Sequence, residues 1–501
     1  MKAIILAAGV GSRLHPITKE KPKTLVCING KPILGHILDA LLQNGIHDVI
    51  ICTGFKANLV IEYCRSFFPD MRFIFIQNDD YANTNNMYSF YLAKCHLNED
   101  FLLMNADVVF DPRIISGLSK KSGSFIAVEK GSYNEESMKI SIDSSHRITG
   151  ISKILPKKEA YGCSIDIYRI AKEDIPVLIA EMEMIISKRG DRNQWTEVLL
   201  DNLFKSNHLK AYPFDVNPCP WAEIDDFQDL ASAEVLFNHR IRELNNKKVF
   251  FIDRDGTLIL DNHVIDGANE LLDLLRERGK KLFLLSNNSS KSPSTHIESL
   301  RQAGLKLEPH ELLISLDASL DFLLEKDYKR IFWVATSDVS SYISSKGFSF
   351  ETVSPQALLL TYDTEITYSK ISHFIRLLRN SIPYIATHRD LLYPTKDGAL
   401  PDIGCTIDII AKSTGKLPDK IFGKPSLEMI IPTLKRLNVP LSQAVIVGDR
   451  LYTDIKLAAG SDLLSVLVLT GETKRSNYEF SDIRADIVLP SIKELFELLS
   501  R

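Results

Sequence analysis

Short apolar runs recur along this chain, each ending abruptly in a carboxylate, an amide or a glycine, with helix-length amphipathic segments between them. Apolar runs of strand length without internal alternation suit strands buried on both faces, as in parallel sheets covered by helices. In the first half these runs are KAIILAAG, DVIICTG, FIFIQND and FLLMNADVVF; between them ILGHILDALLQNG has helical spacing and stops at Gly45. A new series starts at Lys247 with KKVFFIDRDG, KKLFLLSNNS, AVIVGDR and LLSVLVLTG. The pattern predicts an α/β chain of two Rossmann-like, doubly wound domains in tandem.

The chain has 501 residues, and such a length suggests roughly two to four domains. Between the two strand series lies DFQDLASAEVLFNHRIRELNNKK, a helical pattern closed by an Asn-Asn turn signal, which sets a boundary near Asn245. The reading is a first domain over 1–235, a helical linker end over 236–246, and a second domain over 247–501. From Ser286 to Lys424 the second domain runs far longer than one βαβ unit requires. That stretch has strand signals of its own (RIFWVAT, ALLLTYD, IPYIATH) and turn signals (PTKDG, PDIG). An inserted α/β cap at about 325–415 follows.

Composition narrows the partners. With 45% hydrophobic and 25% charged residues and a net charge of −4, the chain is a folded globular type without a basic field. Nucleic acid and anionic membranes are therefore not expected partners, whereas a local phosphate site needs only a few donors. Seven cysteines (Cys27, Cys52, Cys64, Cys95, Cys163, Cys219, Cys405) are scattered, with no CxxC or Cys/His cluster, so neither a zinc site nor a disulfide framework is indicated. The apolar N-terminal run breaks at Gly9, and no stretch reaches the roughly 18 residues of a membrane span. A cytoplasmic location without membrane insertion is the expectation, and a homo-oligomer is compatible with it.

The segment LAAGVGSRLHPITKEKPKTL follows the first strand. After Leu6, the small residues Ala7, Ala8, Gly9 and Gly11 let backbone N–H groups approach an anion, and Arg13, Lys21 and Lys23 add cations for a polyphosphate. Glycines, Arg13 and KPKTL at this spacing resemble the signature of sugar-phosphate nucleotidyltransferases. The resemblance implies a triphosphate-binding loop, Arg13 and Lys23 balancing charge at the α-phosphate, and Asp107 in LLMNADVVF as a Mg²⁺ ligand. A second ligand is expected from WAEIDD, in Asp225 with Glu223 as its alternate or partner; two apart, they point the same way on extended backbone.

Where sugar-activating members carry a Gly-Thr-Ala-type run, this chain has NDDYANTNNMYSFYLA. That departure resembles the phosphocholine and 2-aminoethylphosphonate cytidylyltransferases. It implies CTP, with Asn78, Asn86, Tyr88 and Ser89 near the cytidine or the acceptor and Lys153 gripping the acceptor's phosphate. An ammonium acceptor would be held by aromatic faces and carboxylates, for which Trp195, Trp221, Tyr212, Asp191 and Glu223 are available. A polyol phosphate would instead use amides and hydroxyls, and the sequence leaves the choice open.

VFFIDRDGTLI delivers two carboxylates, Asp253 and Asp255, at the end of an apolar strand. This D-x-D-G-T resembles the opening motif of the haloacid dehalogenase superfamily, and the remaining elements arrive in order: Ser286 in FLLSNNS, Lys424 in FGKPS, and Asp449 with Asp454 in VIVGDRLYTDI. The resemblance implies Asp253 as nucleophile, Asp255 as acid then base, Ser286 and Lys424 on the phosphate, and Mg²⁺ held by Asp253, Asp255 (through its main-chain carbonyl) and Asp449. The inserted region looks like the cap of NagD-like and nitrophenyl-phosphatase relatives.

Together these readings describe a bifunctional enzyme, a CTP-dependent cytidylyltransferase fused to a Mg²⁺-dependent phosphomonoester phosphatase. Two alternatives stand beside it: a sugar-1-phosphate nucleotidyltransferase in the first half, or one half kept as a non-catalytic regulatory module. A constraint follows from the pairing. If both halves took the same phosphomonoester, the second would destroy the substrate of the first, so the phosphatase acts on another ester or the acceptor is a phosphonate.

Overall fold

The computed structural model describes residues 1–260, 263–393, 398 and 400–500. The chain divides into two compact units, Met1–Phe237 and Asn238–Arg501.

In the first unit, Lys2–Ala7 is central to a nine-stranded sheet and pairs in parallel with Asp48–Thr53 and Phe101–Asn105. These strands are almost wholly buried because helices cover both faces; the apolar side chains divide into one cluster on each side of the sheet. The run FLLMNADVVF, expected as one strand, is two: Phe101–Asn105 in the sheet and Val108–Phe110 in a separate antiparallel ribbon with Trp221–Glu223. The break at Ala106–Asp107 turns the chain at the sheet's carboxyl edge, where α/β ligands bind. Beyond it, Gly162–Ile170 adds antiparallel pairing on the far side of Phe101–Asn105, with a register shift between Ser164 and Tyr168. The expected linker helix forms as Phe227–Phe237 and Ile241–Leu244.

The second unit holds a six-stranded, all-parallel sheet in which Val249–Asp253 lies between Lys281–Ser286 and Ala444–Gly448. Asp253, Ser286 and Asp449 therefore emerge from the carboxyl ends of three neighbouring strands. Between Leu312–Ile314 and Ala444–Gly448 of this sheet, the chain builds a five-stranded parallel sheet of its own, from Arg330–Val334 to Lys420–Ile421. It has a separate apolar cluster around Phe374 and Tyr384. One turn signal proves otherwise: in PDIG, Asp402 caps the helix Ile403–Thr414 by accepting from the Ile403 N–H. Most of PTKDG lies outside the described residues.

Candidate active sites

The first site is a cleft of about 380 Å³ at the carboxyl edge of the first sheet. The loop after Lys2–Ala7 enters it with Ala8, Gly9 and Arg13. Gly11 has φ +70°, and a Cβ there would lie 2.7 Å from the Lys23 side chain, so only glycine lets the loop close over that lysine. Lys23 Nζ donates to Asp107 Oδ2 and Asp225 Oδ1, both at 2.8 Å, and Arg13 meets Asp225 at 2.9 Å. Burial pulls the Lys23 pKa down, but the two carboxylates outweigh it and the net shift is upward.

Asp107, Glu223 and Asp225 bring one oxygen each within 4.8 Å of one another. Burial, then the charges of Asp107 and Asp225, push Glu223 up to about 7. Asp107 Oδ1 is buried without a hydrogen-bond partner. Three crowded carboxylates and one orphaned oxygen form the oxygen-only donor set that suits Mg²⁺.

Of the other residues singled out in the sequence, Leu6, Asn78, Asn86, Ser89, Lys153 and Trp195 line this cleft. Asn78 donates to Thr84 Oγ1 (2.9 Å) and Ser89 Oγ (3.1 Å), and Asn86 accepts from the Thr196 N–H at 2.8 Å. Lys153 Nζ sits 4.9 Å from the Trp195 ring centre. Ala7 is buried beneath the loop, and Tyr88 stacks beside Tyr91 under Arg192, neither lining the cleft. Trp221, Tyr212 and Asp191 are likewise outside its lining. The sequence reading passed over Asn105, Ser164, Asp166 and Glu197, which do line it.

The second site is a small pocket of about 30 Å³ lined by Asp253, Asp255, Ser286, Asn287, Lys424 and Thr453, with Asp390, Tyr393 and Asp402 from the inserted region. Lys424 Nζ is fully enclosed; it bonds to Asp253 Oδ1 and, at 2.6 Å, to Asp454 Oδ1. Burial lowers its pKa, yet the two carboxylates raise it well above the ordinary lysine value. Asn287 fixes the Lys424 backbone, accepting from its N–H at 2.8 Å and donating to its C=O at 3.1 Å.

Asp253, Asp449 and Asp454 form a second carboxylate triplet within 4.8 Å. Burial and neighbouring carboxylates raise Asp253 to about 6 and Asp449 to about 8. Asp449 Oδ2 accepts from the Glu472 N–H at 2.6 Å, while its Oδ1 is buried and unpartnered. This site too fits Mg²⁺ in charge and donor type. The Asp255 carboxylate is oriented by the Arg254 guanidinium through two bonds of 2.9 and 2.7 Å.

One chain thus carries two separate carboxylate-rich sites, one in each unit. Residues 2–127 match the nucleotidyl transferase family, residues 250–349 the haloacid dehalogenase-like hydrolases, and residues 421–495 the HAD-hydrolase-like family. The chain joins a nucleotidyl transferase domain to a haloacid dehalogenase-like hydrolase domain of the nitrophenyl-phosphatase type. It is 32% identical to a 4-nitrophenylphosphatase structure from Thermotoga maritima, covering 52% of this chain and 100% of that one, with a TM-score of 0.50. An acid sugar phosphatase of Staphylococcus saprophyticus is 26% identical over 260 residues, 52% of this chain and 100% of the relative. One from Staphylococcus aureus is 28% identical over 226 residues, 45% of this chain and 87% of the relative. No helix among the described residues is long and apolar enough to cross a membrane.

Proposed function

We propose that the first domain is a Mg²⁺-dependent cytidylyltransferase and the second a Mg²⁺-dependent phosphatase of small phosphomonoesters. The observation that carries the transferase reading is the link Asp107–Lys23–Asp225 beside the glycine loop, with Asp107 Oδ1 left open. In this reading Ala8, Gly9 and Arg13 hold the triphosphate, the amides and hydroxyl of Asn78, Asn86 and Ser89 border the base, and Lys153 receives the acceptor's phosphate or phosphonate. An acceptor oxygen forms the new bond to the α-phosphorus, the α–β bridging bond breaks, and pyrophosphate leaves. No protein nucleophile is required; alignment and charge neutralisation carry the reaction. Bound Mg²⁺ would neutralise phosphate charge at Asp107, Glu223 and Asp225.

In the phosphatase, Asp253 attacks phosphorus and the ester oxygen departs; Asp255 protonates it and then takes a proton from the water that releases phosphate. Lys424 stands against the nucleophile and Ser286 against the phosphate oxygens. Asp253, Asp449 and Asp454 are the carboxylates that would hold Mg²⁺. The products of the transferase would be a CDP-alcohol or a CMP-phosphonate. The acceptor class is a phosphocholine-like, aminoalkyl or polyol phosphate or phosphonate. Pyrophosphate release measured with CTP, UTP, dTTP and ATP against phospho-alcohols and sugar-1-phosphates tests the reading. Release with UTP or dTTP and a sugar-1-phosphate, and none with CTP, would replace it with the sugar-activating alternative.

A further inference from the structure

In the sequence, Thr470 and Gly471 merely end the apolar run LLSVLVLTG. In the fold they stand against the phosphatase site. The strand before Asp449, Ala444–Gly448, pairs in parallel with Leu464–Val468, so the chain leaving Val468 passes the same sheet edge beside that aspartate. The Glu472 N–H donates to Asp449 Oδ2 at 2.6 Å, and the Thr473 N–H to the Asp449 carbonyl at 3.3 Å. Gly471 packs on one side of the carboxylate and Gly256, at φ +81°, on the other. A Cβ on either glycine would overlap Asp449 Oδ2, and one on Gly471 would also come within 2.7 Å of the Gly256 Cα. The Thr470 hydroxyl ties the two glycine loops together by donating to the Gly256 carbonyl.

Asp449 needs such a holder. Three carboxylates share the site within 4.8 Å, and like charges drive one another apart. Lys424 bonds to Asp253 and Asp454 but not to Asp449. The Glu472 N–H takes up Oδ2 and leaves Oδ1 buried without a partner, so a single oxygen is presented. A ligand already fixed in rotation by its surroundings gives up less freedom when a metal binds. We propose that the loop Thr470–Thr473, with Gly471 as its positioning residue, fixes Asp449 for Mg²⁺ and so sets the metal affinity of the phosphatase. The inference rests on the phosphatase reading above and adds the segment that builds its metal site. Gly471 touches no reacting atom and acts through Asp449. A side chain at 471 has to turn that carboxylate out of the triplet or push the Gly256 loop away.

The test uses the full chain carrying Asp107→Asn, which disables the carboxylate triplet of the first unit, and titrates it with Mg²⁺ by calorimetry. Adding Gly471→Ala should raise the Mg²⁺ Kd at least about tenfold, the usual cost of removing the support of a metal ligand. Aryl phosphate hydrolysis should then need at least about tenfold more Mg²⁺ for half-saturation, and turnover at saturating Mg²⁺ should fall less than the affinity does. Urea unfolding in chelator checks that the second unit is folded. Should Gly471→Ala fail that check, Thr470→Val keeps the shape and deletes only the tie to Gly256, and it should raise the Kd at least about threefold. Either folded variant binding Mg²⁺ as its parent does would overturn the proposal, as would a loss of turnover at saturating Mg²⁺ with the Kd unchanged. No Mg²⁺ uptake by the parent would overturn the Mg²⁺ reading of the site itself, and the proposal with it.

Discussion

The two sites solve the handling of phosphate charge in opposite ways. In the first, Lys23 bridges two carboxylates that are about a quarter exposed (26% and 28%), at the mouth of a cleft of about 380 Å³. In the second, Lys424 is 4% exposed between Asp253 and Asp454, in a pocket of about 30 Å³. The difference suits the chemistry proposed for each site. A displacement between two bound substrates needs room for both and no covalent partner, so its charges stay near the entrance and adjust to the ligands. Capture of phosphorus by a side chain needs a buried, oriented carboxylate and a fixed cation beside it, so its charges are built in.

The largest effect that would separate the sites is Asp253→Asn. It keeps the volume and removes the nucleophile, so hydrolysis of an aryl phosphate should fall at least about 10⁴-fold, about 5.5 kcal/mol in the barrier. Pyrophosphate release by the first domain should persist, and intact-mass spectra of the variant should lack a phosphoryl adduct. Wild-type turnover in a folded Asp253→Asn protein would rule out covalent catalysis.

Next in size is a stability contrast between the two lysines. Lys424→Met leaves Asp253 and Asp454 buried without their cation and should destabilise the second unit by about 3–5 kcal/mol in the presence of chelator. Lys23→Met faces carboxylates about a quarter exposed, which water can reach, and should cost only about 1 kcal/mol. Denaturant titration of both variants reads the difference; equal losses would mean that burial does not distinguish the sites. Asp107→Asn comes after these. It should lower nucleotidyl transfer at least about a hundredfold, about 2.7 kcal/mol, with aryl phosphate hydrolysis little altered. A parallel fall in hydrolysis would mean the two centres are not independent.

Much of both sites could be read from strand ends alone. Asp253, Ser286 and Asp449 end or directly follow apolar runs, and parallel strands gather such positions at one edge of a sheet. Arg13 and Lys23 were singled out because the glycine loop and KPKTL together resemble the nucleotidyltransferase signature. Asp166 and Glu197 were not. Asp166 sits at φ +57° where the strand pairing shifts register, a local distortion that re-aims a side chain and has no period in the sequence. Glu197 is the second residue of the helix Thr196–Lys205, where an acidic side chain is ordinary, and only its pairing with Tyr168 from another element sets it apart. Tyr88 misled for the converse reason: in the helix Asn86–Leu92 it points to Tyr91 and Arg192, while Asn86 and Ser89 face the cleft. The break in FLLMNADVVF was hidden because both fragments are equally apolar.

The smallest effect concerns pH, and it distinguishes the surroundings of the phosphatase site from those of the open cleft. His296 is 2% exposed, with Nε2 3.0 Å from the Asn288 carbonyl. Burial lowers its pKa to about 4, assisted by the positive charges of Arg254 and Lys291 and opposed by the Asn288 carbonyl and Asp255. In the unfolded chain the ring titrates near its ordinary value of about 6.5. Between these two values the unfolded state binds the proton and the folded state does not, so stability rises with pH there. The contribution of the neutral ring is fully present above about pH 6.5 and is lost as pH falls toward 4. From pH 7.5 to pH 5 the loss is about 2 kcal/mol of unfolding free energy. Urea unfolding at the two pH values should show that difference in excess over His296→Gln, whose amide can still donate to the Asn288 carbonyl but takes up no proton. The same pH dependence in both proteins would assign the acid sensitivity to the buried carboxylates around Asp253 instead.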